Sequence, residues 1–77
     1  MIMRGIERNM EISLKNFIRL MEDDTEYIVV EDDYIENKRI AAPAIDIPDY
    51  VKAQNISTCR VRYAPEIDQV VMHIRLA

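Results

Sequence analysis

Glycine, cysteine, histidine and tryptophan are nearly missing from this chain of 77 residues, which has one glycine, one cysteine, one histidine and no tryptophan. Phosphate-cradling loops need several glycines so that backbone amides approach the ligand, and Gly5 alone excludes such a loop. One cysteine excludes an internal disulfide, and Cys59 with His73 cannot complete a structural zinc site. These absences predict a protein without metal or cofactor, suited to a reducing cytoplasm.

Long apolar runs are also missing. The longest run, residues 40–45, contains Pro43 and is far shorter than the roughly 18 apolar residues of a membrane span. Residues 1–9 lack the apolar core of a secretion signal and are predicted to be an N-terminal extension. Residues 10–77 are expected to form one small domain in the cytoplasm of a host bacterial cell, without contact with a membrane.

Small size limits the stability of such a domain. A chain of this length buries only about 60% of the surface that its unfolded form exposes. Small domains without disulfides or metals often gain stability by self-association, so a homodimer is one expectation for this chain.

What the sequence does have is a concentration of acidic residues. The formal net charge is −4, and eight carboxylates fall within residues 22–36, where there is no lysine or arginine. They are Glu22, Asp23, Asp24, Glu26, Glu31, Asp32, Asp33 and Glu36. A protein polarised in this way has a strong local field, which acts on the choice of partner and the encounter rate.

Hydrophobic periodicity predicts an N-terminal helix from Leu14 to Glu22. Ser13 is a favourable N-cap residue, and Ile12 and Phe17 have the spacing of a hydrophobic staple. One apolar stripe follows the helical period and consists of Leu14, Phe17, Ile18 and Met21.

The rest of the chain is typical of strands. Residues 27–30 are aromatic or β-branched and predict one strand, and residues 34–42 predict a second, less regular one. Pro48 predicts the first position of a single helical turn. Residues 56–63 and 69–76 alternate with the period of half-buried strands and predict an antiparallel hairpin. The expected fold is α+β, with one N-terminal helix packed on a three- or four-stranded, mainly antiparallel sheet.

Few side chains in this pattern suggest catalysis. The hairpin places Arg60, Arg62, His73 and Arg75 on one face, with His73 expected to be exposed and Cys59 expected to be buried. No serine or cysteine stands in a nucleophile elbow, and the acidic residues lack the spacing of a calcium loop, so neither an enzyme nor a metal site is predicted. The arginines form a small basic patch without stacking aromatics, so direct binding of nucleic acid is the weaker alternative.

The eight carboxylates therefore carry the leading functional hypothesis. Duplex DNA has one negative charge for about every 1.7 Å of its axis, and a protein that occupies a DNA-binding groove must present carboxylates at comparable density. The competing interpretation is a solvated face that confers solubility and protects a sheet edge from pairing.

With its elements placed, the chain resembles short acidic proteins of unknown function from bacteriophages and mobile elements of Gram-positive bacteria. The resemblance covers residues 10–76 and rests on four segments, namely residues 14–18, 23–30, 46–50 and 73–76. Some phage proteins of this size and charge are anti-CRISPR inhibitors. This chain departs from the pattern in its extension and in having no glycine near Asp33.

The sequence thus leads to three hypotheses. The first is a non-enzymatic phage protein that binds and inhibits a host protein through the eight carboxylates, the partner being a nucleic-acid-handling protein such as a CRISPR effector. The second is a homodimeric structural or regulatory module whose acidic face only solvates it. The third is a nucleic-acid-binding module that uses Arg60, Arg62 and Arg75.

Overall fold

The computed structural model describes residues 12–77, so the predicted extension, residues 1–9, lies outside the described residues. Two short α-helices, α1 (Leu14–Arg19) and α2 (Asp49–Lys52), accompany one four-stranded sheet. Its strands are β1 (Tyr27–Glu31), β2 (Arg39–Pro43), β3 (Ile56–Ala64) and β4 (Gln69–Leu76), in the order β2-β1-β4-β3. The predicted α+β class and a fourth strand are confirmed.

The sheet is mixed rather than uniformly antiparallel. The predicted hairpin is confirmed, since β3 pairs with β4 in antiparallel fashion, and β1 pairs in the same fashion with β2. The two central strands, β1 and β4, run parallel to each other. The two hairpin-like units therefore meet side by side through the strands at their inner edges.

Helix α1 begins where the sequence predicts it. The Ser13 hydroxyl accepts a hydrogen bond from the Asn16 amide at 3.1 Å, as an N-cap does. The predicted helix continues to Glu22, but α1 ends at Arg19. Past this point the side chain of Asp23 accepts from the Thr25 amide, and such side-chain bonds compete with continued helix.

The apolar stripe of α1 is only partly matched by burial. Leu14 is fully buried and Ile18 nearly so, whereas Phe17 and Met21 are half-buried against the same core. The beginning of α1 is fixed to the chain before β3, because the Leu14 amide donates to the Gln54 carbonyl and the Ile56 amide to the Ile12 carbonyl.

Beyond β1, the chain differs from the single irregular strand expected over residues 34–42. A turn at Glu36–Lys38 interrupts it, with Asn37 and Lys38 at φ of 63° and 64°, and β2 begins only at Arg39. Asn37 and Lys38 thus adopt a left-handed backbone that glycine accommodates more easily. The predicted turn of helix near Pro48 is present, with Pro48 at the N-cap of α2.

One face of the sheet, here called the covered face, holds the hydrophobic core. Helices α1 and α2 and the turn Ala44–Asp46 contribute to the same cluster of buried residues as the strands. The buried side chains of this cluster are Leu14, Ile18, Ile28, Val30, Ile35, Ala44, Ile47, Val51, Ile56, Ile74 and Leu76.

The opposite face, here called the open face, is polar and has two rows of side chains that cross all four strands. One row is Arg39, Glu31, Arg75 and Thr58, and the other is Ala41, Val29, His73 and Arg60. Val29 is fully buried in the single chain. The apolar second side of β1 therefore does not require a second copy to cover it.

Candidate functional sites

The structure divides the eight carboxylates into two groups and one isolated residue. Strand β1 separates Glu22, Asp23, Asp24 and Glu26, which precede it, from Asp32, Asp33 and Glu36, which follow it. Glu31, the last residue of β1, lies apart from both groups in a row of the open face. The residues therefore do not form one continuous surface.

The first group, Glu22, Asp23, Asp24 and Glu26, lies on an exposed loop that hydrogen bonds fix in place. The Asp23 carboxylate accepts from the hydroxyl and amide of Thr25 at 2.6 and 3.0 Å, and these bonds lower the pKa of Asp23. The carbonyls of Asp24 and Glu26 accept from the amides of Ile45 and Ala44. This contact brings exposed Asp46, next to Ile45, close to the group, which the sequence analysis did not predict.

The second group, Asp32, Asp33 and Glu36, flanks an exposed tyrosine along the chain between β1 and β2. The amide of Tyr34 donates to the Asp32 carboxylate at 3.2 Å, and the side chain of Tyr34 is 91% exposed. Tyr34 and Tyr50, which is 59% exposed, border one shallow cleft of about 90 Å³. The sequence analysis missed both tyrosines, although their exposure next to acidic residues resembles a protein-binding surface.

Glu31 forms ion pairs with two arginines. Its carboxylate accepts from Arg39 at 2.6 Å and lies 3.7 Å from Arg75. Its negative charge is therefore largely balanced within the chain, and it differs in this respect from the exposed carboxylates of both groups.

Arg39 connects β2 to the turn of the distant hairpin. Its guanidinium donates to both carboxylate oxygens of Glu66, one of them at 3.1 Å, as well as to Glu31. The bonds from Arg39 lower the pKa of Glu66 from 4.5 to about 2, and the bonds to Glu66 and Glu31 raise the pKa of Arg39. The hairpin turn is thus held against the open face.

His73 was expected to be exposed, and this prediction is wrong, because its side chain is 7% exposed at the centre of the open face. Its Nδ1 lies 3.2 Å from the Val71 carbonyl and its Nε2 lies 3.4 Å from Arg39. Arginine is only a donor, so in this contact Nε2 is the acceptor. The alternation of side chains along β4 could not reveal that Arg39, from β2, lies against His73.

Arg60, Arg62 and Arg75 do come together as predicted. With Glu31, Thr58 and His73 they line a cleft of about 140 Å³ on the open face, here called the arginine cleft. Arg60 is opposite His73, and Thr58 is opposite Arg75, on neighbouring strands. Arg60 and Arg62 form no ion pair within residues 12–77.

Two further side chains of β3, Cys59 and Tyr63, have raised pKa values. Cys59 was expected to be buried; it is half-buried and packs against the core, and desolvation raises the pKa of its thiol. The Tyr63 hydroxyl donates to Asp68 at 2.5 Å, which raises the pKa of Tyr63. Residues 12–77 contain no cluster of three or more histidine, cysteine or carboxylate side chains that could hold a metal ion. No helix in this part of the chain is long and apolar enough to cross a membrane.

No family of known proteins, no functionally characterised protein and no solved structure matches this chain. The function is therefore inferred from the surfaces described above.

Proposed function

We propose that this chain is a non-enzymatic phage or mobile-element protein that binds and inhibits a host protein through its exposed carboxylates. The partner presents a basic surface, such as the nucleic-acid-binding groove of a CRISPR effector. Of the two acidic groups, the one after β1 is the better candidate for the central contact.

The exposure of Tyr34 among carboxylates is the observation that carries this proposal. Exposed tyrosines supply large, rigid contact area and are enriched among the residues that contribute most to protein interfaces. Asp33 and Glu36 are exposed, and within residues 12–77 neither forms an ion pair. An exposed aromatic side chain with carboxylates next to it along the chain suits a partner surface rich in lysine and arginine.

Capture from a lysate of Gram-positive bacteria, followed by mass spectrometry, identifies the partner, and three variants then test the surface. Tyr34→Ala removes the proposed central contact. Asp33→Asn with Glu36→Gln removes two charges after β1, and Asp24→Asn with Glu26→Gln removes two charges before it. The double variants are matched, since both remove two exposed carboxylates and keep side-chain size.

We expect Tyr34→Ala to weaken binding of the partner by about thirtyfold, which corresponds to about 2 kcal/mol of binding free energy. Removal of the two charges after β1 should slow association and reduce its dependence on salt, because steering is screened within about 8 to 10 Å near physiological ionic strength. Equal binding by all three variants and the parent would show that the carboxylates only solvate the protein.

A homodimer is the second candidate, favoured by an exposed apolar patch at the outer end of the hairpin. Val61, Tyr63 and Val70 are 65%, 55% and 64% exposed, and Tyr63 is paired directly with Val70. We expect Val61→Thr with Val70→Thr to convert any dimer seen by sedimentation into a monomer. A monomer of the parent protein at micromolar concentration would contradict this candidate.

A further inference from the structure

We propose that the arginine cleft is a binding site for the phosphate group of a small molecule. The site lies on the open face of the sheet and, apart from Glu31 in its lining, is separate from the carboxylates, since the proposed function uses the exposed groups before and after β1. Arg60, Arg62 and Arg75 would donate to the phosphate oxygens, with the Thr58 hydroxyl beside them.

Positive charge is concentrated on the open face of β3. Arg60 and Arg62 lie on the same side of β3, two residues apart, which places their Cα atoms about 6.8 Å from each other along the strand. Neighbouring like charges on a sheet are unfavourable. The chain has fourteen acidic residues, yet neither arginine forms an ion pair in the described part of it. An anion bound between them would relieve this repulsion.

The carboxylate nearest to these arginines, Glu31, is already bound by Arg39. Glu31 lines the cleft and could in principle neutralise it, but Glu31 accepts from Arg39 at 2.6 Å and lies farther from Arg75, at 3.7 Å. Arg39 in turn is held by Glu66. This arrangement keeps Glu31 at the side of the cleft and leaves Arg75, whose side chain is 61% exposed, available to a ligand.

The arginine cleft is small compared with most ligand pockets. Pockets that hold drug-sized ligands measure about 300 to 1,000 Å³, whereas the arginine cleft measures about 140 Å³, or the volume of a few water molecules. A phosphate group fits this space and a whole nucleotide does not. Guanidinium groups bind phosphate through paired, charge-assisted hydrogen bonds, so the residue types agree with the size of the cleft.

A small ligand suits the open face better than a nucleic acid does. The chain as a whole is acidic, and a long polyanion that followed the open face would leave the cleft and meet Glu66 and the carboxylates at both ends of β1. Stacking partners are scarce as well, because Tyr27 at 39% exposure is the tyrosine of this face in the described part of the chain. A single phosphate group avoids both difficulties.

The test is a titration of the isotope-labelled protein with inorganic phosphate, followed by backbone amide signals in NMR spectra at low and constant ionic strength. We expect saturable changes confined to residues 58–62 and 73–75. Arg60→Gln with Arg62→Gln should raise the dissociation constant at least about tenfold, since it removes charge-assisted donors. The control Lys15→Gln with Arg19→Gln removes two exposed charges of α1 and should leave binding unchanged.

A second titration, with a single-stranded oligonucleotide, identifies the source of the phosphate. Absence of saturable phosphate binding, or an equal loss in the Lys15 and Arg19 control, would overturn the site. Tighter binding of the oligonucleotide than of phosphate, lost in the Arg60 and Arg62 variant, would overturn the assignment to a small ligand. Partner capture by the parent and the Arg60 and Arg62 variant reports on the proposed function independently, because those arginines are not part of its surface.

Discussion

The covered and open faces of the sheet are built from the same strands but held by different forces. On the covered face, Ile28 and Ile74 are buried among aliphatic side chains of the helices. On the open face, Val29 and His73 are also buried, whereas both helices of the described residues 12–77 contribute to the cluster on the covered face. Within residues 12–77, long polar side chains such as Arg39, which contacts His73, lie on this face, and their aliphatic stems also exclude water.

The covered face should give the largest loss of stability when it is altered. Ile74 is fully buried in the centre of the core, and Ile74→Ala should cost about 2 to 5 kcal/mol because it removes buried methylene groups and leaves a cavity. Urea unfolding followed by circular dichroism measures this loss. The exposed control Arg19→Ala should change the free energy of unfolding by less than about 0.5 kcal/mol. A small loss for Ile74→Ala would mean that the helices do not pack on this face.

Val29 tests whether the open face excludes water as the structure indicates. Val29→Ala should cost about 1.5 to 2 kcal/mol, because each buried methylene group contributes about 0.8 kcal/mol. The same unfolding experiment applies. A loss below about 0.5 kcal/mol would show that the open face is solvated, and the two faces would then differ more than the structure suggests.

Much of the covered face could be predicted from the sequence, and the reason is local periodicity. Alternation in β3 and β4 predicted their pairing, and Ser13 with the apolar stripe predicted the beginning of α1. The parallel contact of β1 with β4 could not be predicted in this way, because it joins residues more than forty positions apart that share no local pattern. The end of α1 at Arg19 was not predicted either; the bond from the Thr25 amide to the Asp23 side chain beyond it is a local competitor for helical bonds that propensity does not reveal.

The open face could be predicted only in part. The arginines of β3 and β4 were correctly predicted to lie together, because alternation along each strand puts them on the same face of the sheet. The burial of His73 was not predicted, because it depends on Arg39, which reaches it from β2 and is held there by Glu66, 27 residues away. The candidate role of Tyr34 was also missed, although its position between acidic residues could have suggested it.

Arg39 should matter more to the open face than an ordinary surface arginine. Arg39→Met keeps the aliphatic stem but removes the donors to Glu31, Glu66 and His73, and should cost about 1 to 2 kcal/mol after allowance for solvent screening. The loss should shrink at high salt, as urea unfolding at two salt concentrations can measure. Lys15→Met, on exposed α1, is the control. Equal losses of unfolding free energy for the two variants would mean that the contacts of Arg39 stabilise the protein no more than an ordinary exposed side chain does.

The smallest expected effect is the pH dependence that Glu66 gives to the open face. Its pKa is lowered in the folded protein to about 2 from an ordinary value of 4.5 by its bonds to Arg39. A lowered folded-state pKa contributes stability that is present above 4.5 and is lost as the pH falls toward about 2. Glu66→Gln should therefore reduce stability above pH 4.5, with the difference from the parent vanishing near pH 2.

Glu36→Gln removes an equal charge from a residue with no side-chain hydrogen bond within residues 12–77, and should show no such trend. Parallel pH profiles for the two variants would mean that the hairpin turn is not held against the open face by this contact.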